Sequence, residues 1–158
     1  MSLTGRTHFL TGLCVGVLYA GVSETSDSMI PIVIASAAGA LLPDVDNCTS
    51  VLGRKVFPAS LAIQATFHHR TLFHSPLLYG VLWALLSGLF PQYQYLLNAA
   101  LIGIGSHLVL DMLNPKGIPL LYPIPKRFHL ANFKSGGLLD HLLQPVLLLC
   151  CGYLFFFC

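Results

Sequence analysis

Apolar residues run along this chain in long blocks broken by short polar segments. Five blocks stand out: about Phe9 to Val22, Met29 to Leu42, Pro76 to Phe90, about Tyr95 to Leu113, and Leu138 to Cys158. A helix needs roughly 20 residues to cross a hydrocarbon core, and several blocks reach that length only when their polar flanks are counted. The pattern predicts an all-α, polytopic transmembrane helix bundle of about five spans, forming one membrane-embedded domain over residues 1–158. A four-span arrangement, with one short stretch re-entrant, is the alternative.

The connections differ in kind. Ser23 to Ser28 and Pro91 to Gln94 are short polar turns. Pro43 to Ser75 is longer, and its Ala-rich part, Pro58 to Phe67, has the composition of an interfacial helix. Asn114 to Gly137 carries four prolines between positions 115 and 125, which excludes regular helix there. That loop is apolar enough to lie on or dip into a membrane surface.

Composition strengthens the membrane reading. Charged residues are 9% and hydrophobic residues 55% of the 158, against roughly 25% charged in a soluble domain. Mean hydropathy is +0.75. A soluble domain this small needs more polar surface than the sequence holds. A net charge of +2 gives no reason to expect nucleic acid. The five cysteines form no CxxC pair and read as small hydrophobes. Arg6 before an apolar run, with Tyr19-Ala20-Gly21 downstream, also has the outline of a signal peptide, whose cleavage would remove His8.

Alternating the spans sorts the polar groups. The N-terminus and the two long loops fall on one side, and with them all eight Lys and Arg. The positive-inside rule makes that side cytoplasmic. His8, Asp44, Asp46, His68, His69, His74, His107, Asp111, Asp140 and His141 belong to the same end, while Glu24 and Asp27 lie at the other. Ionisable groups near hydrocarbon are costly and usually pair or face a bundle interior. A shared cation is one way to offset that cost. His107 and Asp111 are four apart, hence on one helical face. Gly103 and Gly105 upstream would let another helix approach. Asp44 and Asp46, read as an extended turn after Pro43, would point apart, as one ligand and one supporting group. Ser75-Pro76 reads as the start of a helix just after His74. Mixed His and Asp ligands suit zinc, manganese or iron better than calcium.

These residues carry a family resemblance. Thr7-His8-Phe9-Leu10-Thr11-Gly12, Leu41-Leu42-Pro43-Asp44-Val45-Asp46 with Ser50-Val51-Leu52-Gly53, His69-Arg70-Thr71-Leu72-Phe73-His74-Ser75, and Ser106-His107 through Asp111 to Asn114-Pro115-Lys116-Gly117 occur in that order. The stretch continues through Pro119 to Pro123, and the whole, about residues 7 to 128, resembles the LexA-regulated, membrane-bound metal-dependent hydrolases of the bacterial inner membrane. Phe73 stands where that pattern usually has Thr, and Asp140 and His141 fall outside it. The resemblance implies a metal-dependent hydrolase, distantly similar in its His/Asp pattern to zinc-dependent phospholipase C and P1-type nucleases.

The resulting expectation is a divalent ion, zinc favoured and manganese the alternative, held by His8, Asp44, His69, His74, His107 and Asp111. One or two ions would activate a water toward a phosphoester. Asp46 is expected as a further ligand or the general base, Arg70 as the phosphoryl clamp, and Lys116 as a stabiliser of developing charge. The expected partner is membrane lipid, with a lipid headgroup or lipid-linked phosphate as substrate. The alternative is a non-enzymatic membrane protein that binds or transports metal ions, and a third reading is a scaffold with a structural metal. HExxH, GxSxG and P-loop motifs are absent, so protease, serine hydrolase and NTPase readings lack a basis.

Overall fold

A computed structural model describes residues 4–23, 29–67, 71–124, 126–133 and 136–157. Among the described residues there are seven α-helices: α1 (Gly5–Val22), α2 (Met29–Gly39), α3 (Val51–Lys55), α4 (Ala59–Phe67), α5 (Pro76–Leu89), α6 (Gln94–Met112) and α7 (Leu138–Phe157). No strand forms among them; a single isolated bridge pairs Ile118 with Phe128. The all-α expectation therefore holds, and helix boundaries fall within a few residues of the apolar blocks. The Ala-rich stretch is helical, as α4.

Fewer helices reach membrane length than the five spans that the hydropathy pattern predicts. Two segments, Met29–Asp46 and Pro91–Met112, are long and apolar enough to cross a membrane, while Pro76–Leu89 and Asp140–Phe156 are shorter apolar helices. α1 includes Arg6, Thr7, His8 and Thr11 in its first two turns. That polar start explains why it is not among the membrane-length apolar helices.

α1, α2 and α6 pack on one another, α5 packs on α6, and α7 packs on α1. The central contact is built from small residues, the usual device where lipid gives helices no hydrophobic reason to associate. A Cβ at Gly103 would strike the Ser36 backbone carbonyl, and one at Gly12 would strike Ala40. Ser36 Oγ donates to the Gly12 carbonyl at 2.8 Å, tying α2 to α1. Gly105, expected to serve the same approach, faces open space. It lies two positions from Gly103, about 200° around the helix at 3.6 residues per turn, so both cannot meet one neighbour.

The outer helices show apolar faces. Leu77, Val81 and Leu85 of α5 and Leu142, Val146 and Leu149 of α7 are exposed. Trp83 Nε1 donates to Asn98 Oδ1 at 2.9 Å, and Gln94 Nε2 donates to the same oxygen at 3.0 Å. Asn98, a polar residue far from the histidine end, thus joins α5 to α6.

α7 docks through a buried carboxylate. Asp140, in its first turn, accepts from the Thr4 N–H at 3.1 Å, the Gly136 N–H at 2.9 Å, and the Thr7 hydroxyl. Gln144 Nε2 adds a bond to Thr4 Oγ1 at 3.0 Å. Thr4 is the N-cap of α1 and makes no side-chain cap of its own, so an acid from another helix satisfies its end. A negative charge there also suits the helix dipole. Asp140→Ala would leave these donors, the buried Thr7 hydroxyl among them, without their acceptor. We expect a loss of about 1–3 kcal/mol, read as a lower midpoint in thermal unfolding in detergent; an unchanged midpoint would refute the docking role. His141, its neighbour, is exposed.

Candidate metal centre

Each helix end that meets the α1/α2/α6 core brings an ionisable group to one place. α1 contributes His8 from its first turn, and α6 contributes His107 and Asp111 from its last turns. α2 is followed by a 3-10 turn, Leu42–Asp46, that carries Asp44 and Asp46. A second 3-10 turn, Leu72–His74, carries His74 immediately before α5. All six side chains are buried, the most exposed being Asp44 at 4%.

Their spacing is that of a ligand set. Nitrogen and carboxylate oxygen atoms of His8, His107 and Asp111 lie within 4.8 Å of one another, as do those of Asp44, His74 and His107. These groups could hold a metal ion. His8 Nε2 is 3.6 Å from Asp111 Oδ1, and His74 Nε2 is 3.2 Å from Asp111 Oδ2. The His8 and His107 rings stack with centroids 3.9 Å apart.

The protonation of His107 follows from its partner. Its Nδ1 lies 2.7 Å from the Ala40 carbonyl oxygen. A carbonyl only accepts, so Nδ1 carries the hydrogen and Nε2 presents its lone pair. Nε2 is buried and makes no hydrogen bond among the described residues; the nearest carboxylate oxygen is Asp111 Oδ2 at 3.7 Å. A buried imidazole with one nitrogen anchored to backbone and the other bare toward neighbouring donors is the usual form of a metal-ligating histidine. By that donor chemistry the residues fit a divalent metal ion.

His74 is held between two acids. Its Nδ1 lies 3.4 Å from Asp46 Oδ2, opposite the contact of its Nε2 with Asp111. Burial opposes a charge on this ring, but the Asp111 and Asp46 carboxylates outweigh it and push the pKa up to about 9 in the metal-free protein. A proton thus sits where a cation would otherwise balance the acids.

The turns themselves are braced. Ser50 Oγ donates to the Asp44 carbonyl at 2.7 Å and accepts from the Gly53 N–H at 2.8 Å, which locks the 3-10 turn to α3. The two carboxylates are therefore not splayed by an extended turn: the 3-10 coil buries both. Tyr79 of α5 donates from its hydroxyl to the Phe73 carbonyl at 2.8 Å and so anchors the turn bearing His74. Tyr79→Phe should cost about 1 kcal/mol with its apolar contacts kept, measured as a small fall in thermal midpoint; no fall would show the bond to be dispensable. Ser75 occupies the N-cap of α5 with Pro76 at N1, but its side chain makes no cap bond.

The structure thus gathers His8, Asp44, Asp46, His74, His107 and Asp111. His68, His69 and Arg70 lie outside the described residues. Lys116 is exposed in the turn after α6, its N–H bonded to Asn114 Oδ1 at 3.2 Å. His129 is an exposed loop residue. Three supports were not anticipated from sequence: the Ala40 carbonyl, Tyr79 and the Thr4–Thr7–Asp140 clasp. A backbone oxygen and a tyrosine in an apolar run give no sequence signal. Thr7, directly before His8, is the one sequence signal for the clasp.

Comparison with known proteins agrees on the membrane setting. A Bacillus subtilis (strain 168) protein described as uncharacterized protein YvsG is 31% identical over 98% of this chain and 95% of its own length. The inner membrane protein YdjM of Escherichia coli (strain K12) is 37% identical over 57% of this chain, a match covering 48% of that protein. No solved structure matches. The family described as YdjM inner membrane protein matches residues 3–156, and the chain belongs to that family.

Proposed function

We propose that the protein is a membrane-bound, metal-dependent hydrolase acting on a phosphoester in a lipid headgroup or a lipid-linked phosphate. The observation that carries this reading is the buried His107 Nε2, turned by the Ala40 carbonyl toward His8, Asp111, Asp44 and His74. In this reading those five residues, with His69 of the same motif as His74, hold the ion, zinc being favoured. A bound zinc supplies Lewis acidity and lowers the pKa of water toward 7. Asp46 stands behind His74 and orients its ring, a carboxylate–histidine pairing common around metals. Arg70 clamps the phosphoryl group bidentately, and Lys116 meets the headgroup from the exposed turn.

The setting also supports a lipid substrate. The site lies at one end of the bundle, where the exposed Arg54, Lys55, Lys116, Lys126 and Arg127 also occur. By the positive-inside rule this end faces the cytoplasm, and about five spans would place it there. A transport path would need polar groups continuing to the far end; Asn98, near the opposite end of α6, is already bonded to Trp83 and Gln94. The test is release of phosphate or phosphorylated headgroup from phospholipid and lipid-phosphate panels by the zinc-loaded protein in nanodiscs. Turnover that is lost on chelation, restored by zinc and reduced at least about a hundredfold in Arg70→Ala would support the reading. A fully metal-loaded protein inert on every phosphoester would leave metal binding without hydrolysis.

A further inference from the structure

The two segments that flank the site share an uncommon composition. Residues 47–75 and 112–137 contain no Asp or Glu, yet they carry seven of the eight Lys and Arg. Each has a pair of adjacent cations beside large apolar residues: Arg54-Lys55-Val56-Phe57 in the first, Ile124-Pro125-Lys126-Arg127-Phe128 in the second. Arg54, Lys55, Lys126 and Arg127 are all exposed. So are the apolar neighbours: Phe57, Leu61, Leu121, Ile124, Leu130 and Phe133 are between 42% and 68% accessible. The described parts of both segments nonetheless contact the bundle end. α3 and α4 pack on the turn carrying Asp44 and Asp46. The later loop returns to α6 through the Leu130 N–H to the Met112 carbonyl at 2.7 Å and the Phe133 N–H to the Leu113 carbonyl at 3.0 Å. Apolar side chains interleaved with cations, on a fixed backbone at the end of a membrane bundle, match the layer where acyl chains meet headgroups. Long basic side chains place their stems in the apolar layer and their charges at phosphate depth.

We infer that α3–α4 and the 118–133 loop form a collar seated in the headgroup layer of an anionic leaflet, with phosphatidylglycerol-type headgroups as the partner of the paired cations. The complete absence of carboxylates selects anionic over zwitterionic lipid. The collar surrounds the metal centre's end of the bundle and enriches anionic lipid beside it. It relies on residence in the membrane and is independent of hydrolysis.

The experiment is hydrogen–deuterium exchange of the full chain in nanodiscs of phosphatidylcholine alone and of phosphatidylcholine with phosphatidylglycerol. Peptides covering 51–67 and 118–133 should exchange about fivefold more slowly with anionic lipid, near the effect of one cation at an anionic surface, while α1, α2 and α6 stay unchanged. The variant Arg54→Gln/Lys55→Gln/Lys126→Gln/Arg127→Gln should abolish the difference while retaining its bound zinc. Equal exchange in both lipids, or a difference that survives in the variant, would overturn the collar. So would protection already complete in detergent and dependent on protein concentration, since a second copy would then cover these residues. Zinc content, read in parallel, reports on the metal centre separately.

Discussion

The variant His107→Ala/Asp111→Ala should lose its metal entirely, while the wild-type protein purified in detergent carries one or two equivalents of zinc or manganese. Both proposed triads include His107, so its Nε2 cannot be spared from either. Asp111 adds the carboxylate that reaches His8 with one oxygen and His74 with the other. Removing both leaves His8, Asp44 and His74 without the donors that link them. Mass spectrometry of the intact protein and elemental analysis read the stoichiometry directly. Circular dichroism must show the helices retained, because deleting a buried charge partner also carries a stability cost of about 3–5 kcal/mol. A milder variant, Asp111→Asn, keeps the shape and removes the charge; it should weaken zinc by at least about tenfold, within the range seen when support around a metal is removed. If the folded wild type takes up no divalent ion even when supplied with it, the metal centre is refuted and the cluster is a proton-sharing network around His74.

Gly103→Leu should unfold the bundle or come close to it, and Gly105→Leu should not. Overpacking a filled interior costs about 1–3 kcal/mol and sometimes more. The upper end applies at Gly103 because a Cβ there meets the Ser36 carbonyl, which is backbone and cannot swing away. α2 and α6 would be forced apart, separating Asp44 and the Ala40 carbonyl from His107. Zinc should therefore be lost along with thermal stability. At Gly105 the same side chain enters open space, and the expected change is within about 0.5 kcal/mol. Paired thermal scans in detergent give the comparison. Equal effects at the two positions would mean that α2 and α6 do not meet through Gly103.

The family to which the chain belongs is an inner-membrane one, and the similar proteins bring no activity with them. Any chemistry must therefore be read from the site itself. Its strongest part is local: a histidine whose tautomer is set by a backbone carbonyl, and a second histidine set between two acids.

Much of this was legible in the sequence, for physical reasons. In a chain with 9% charged residues, each buried acid or imidazole is costly, so the few present are informative one by one. Long apolar blocks announce helices, and Pro43 and Pro115 mark where two of them stop. Alternation of the blocks put His8, Asp44, Asp46, His74, His107 and Asp111 at one end, and the fold brings those six together. What linear order could not supply is distance. Only the close crossing of α1, α2 and α6 on Gly12, Ser36 and Gly103 sets these groups within reach of one another. The 3-10 turn after Pro43 depends on Ser50 bridging back to the Asp44 carbonyl, a contact across six residues that periodicity does not encode. Asp140 reads locally as a first-turn acid of its own helix, but packing spends it on the N-terminus of α1. Hydropathy and spacing thus determined which residues share an end of the helix bundle. Tertiary packing decided which atoms face one another, because backbone carbonyls, small-residue contacts and long-range caps have no periodic signature in the sequence.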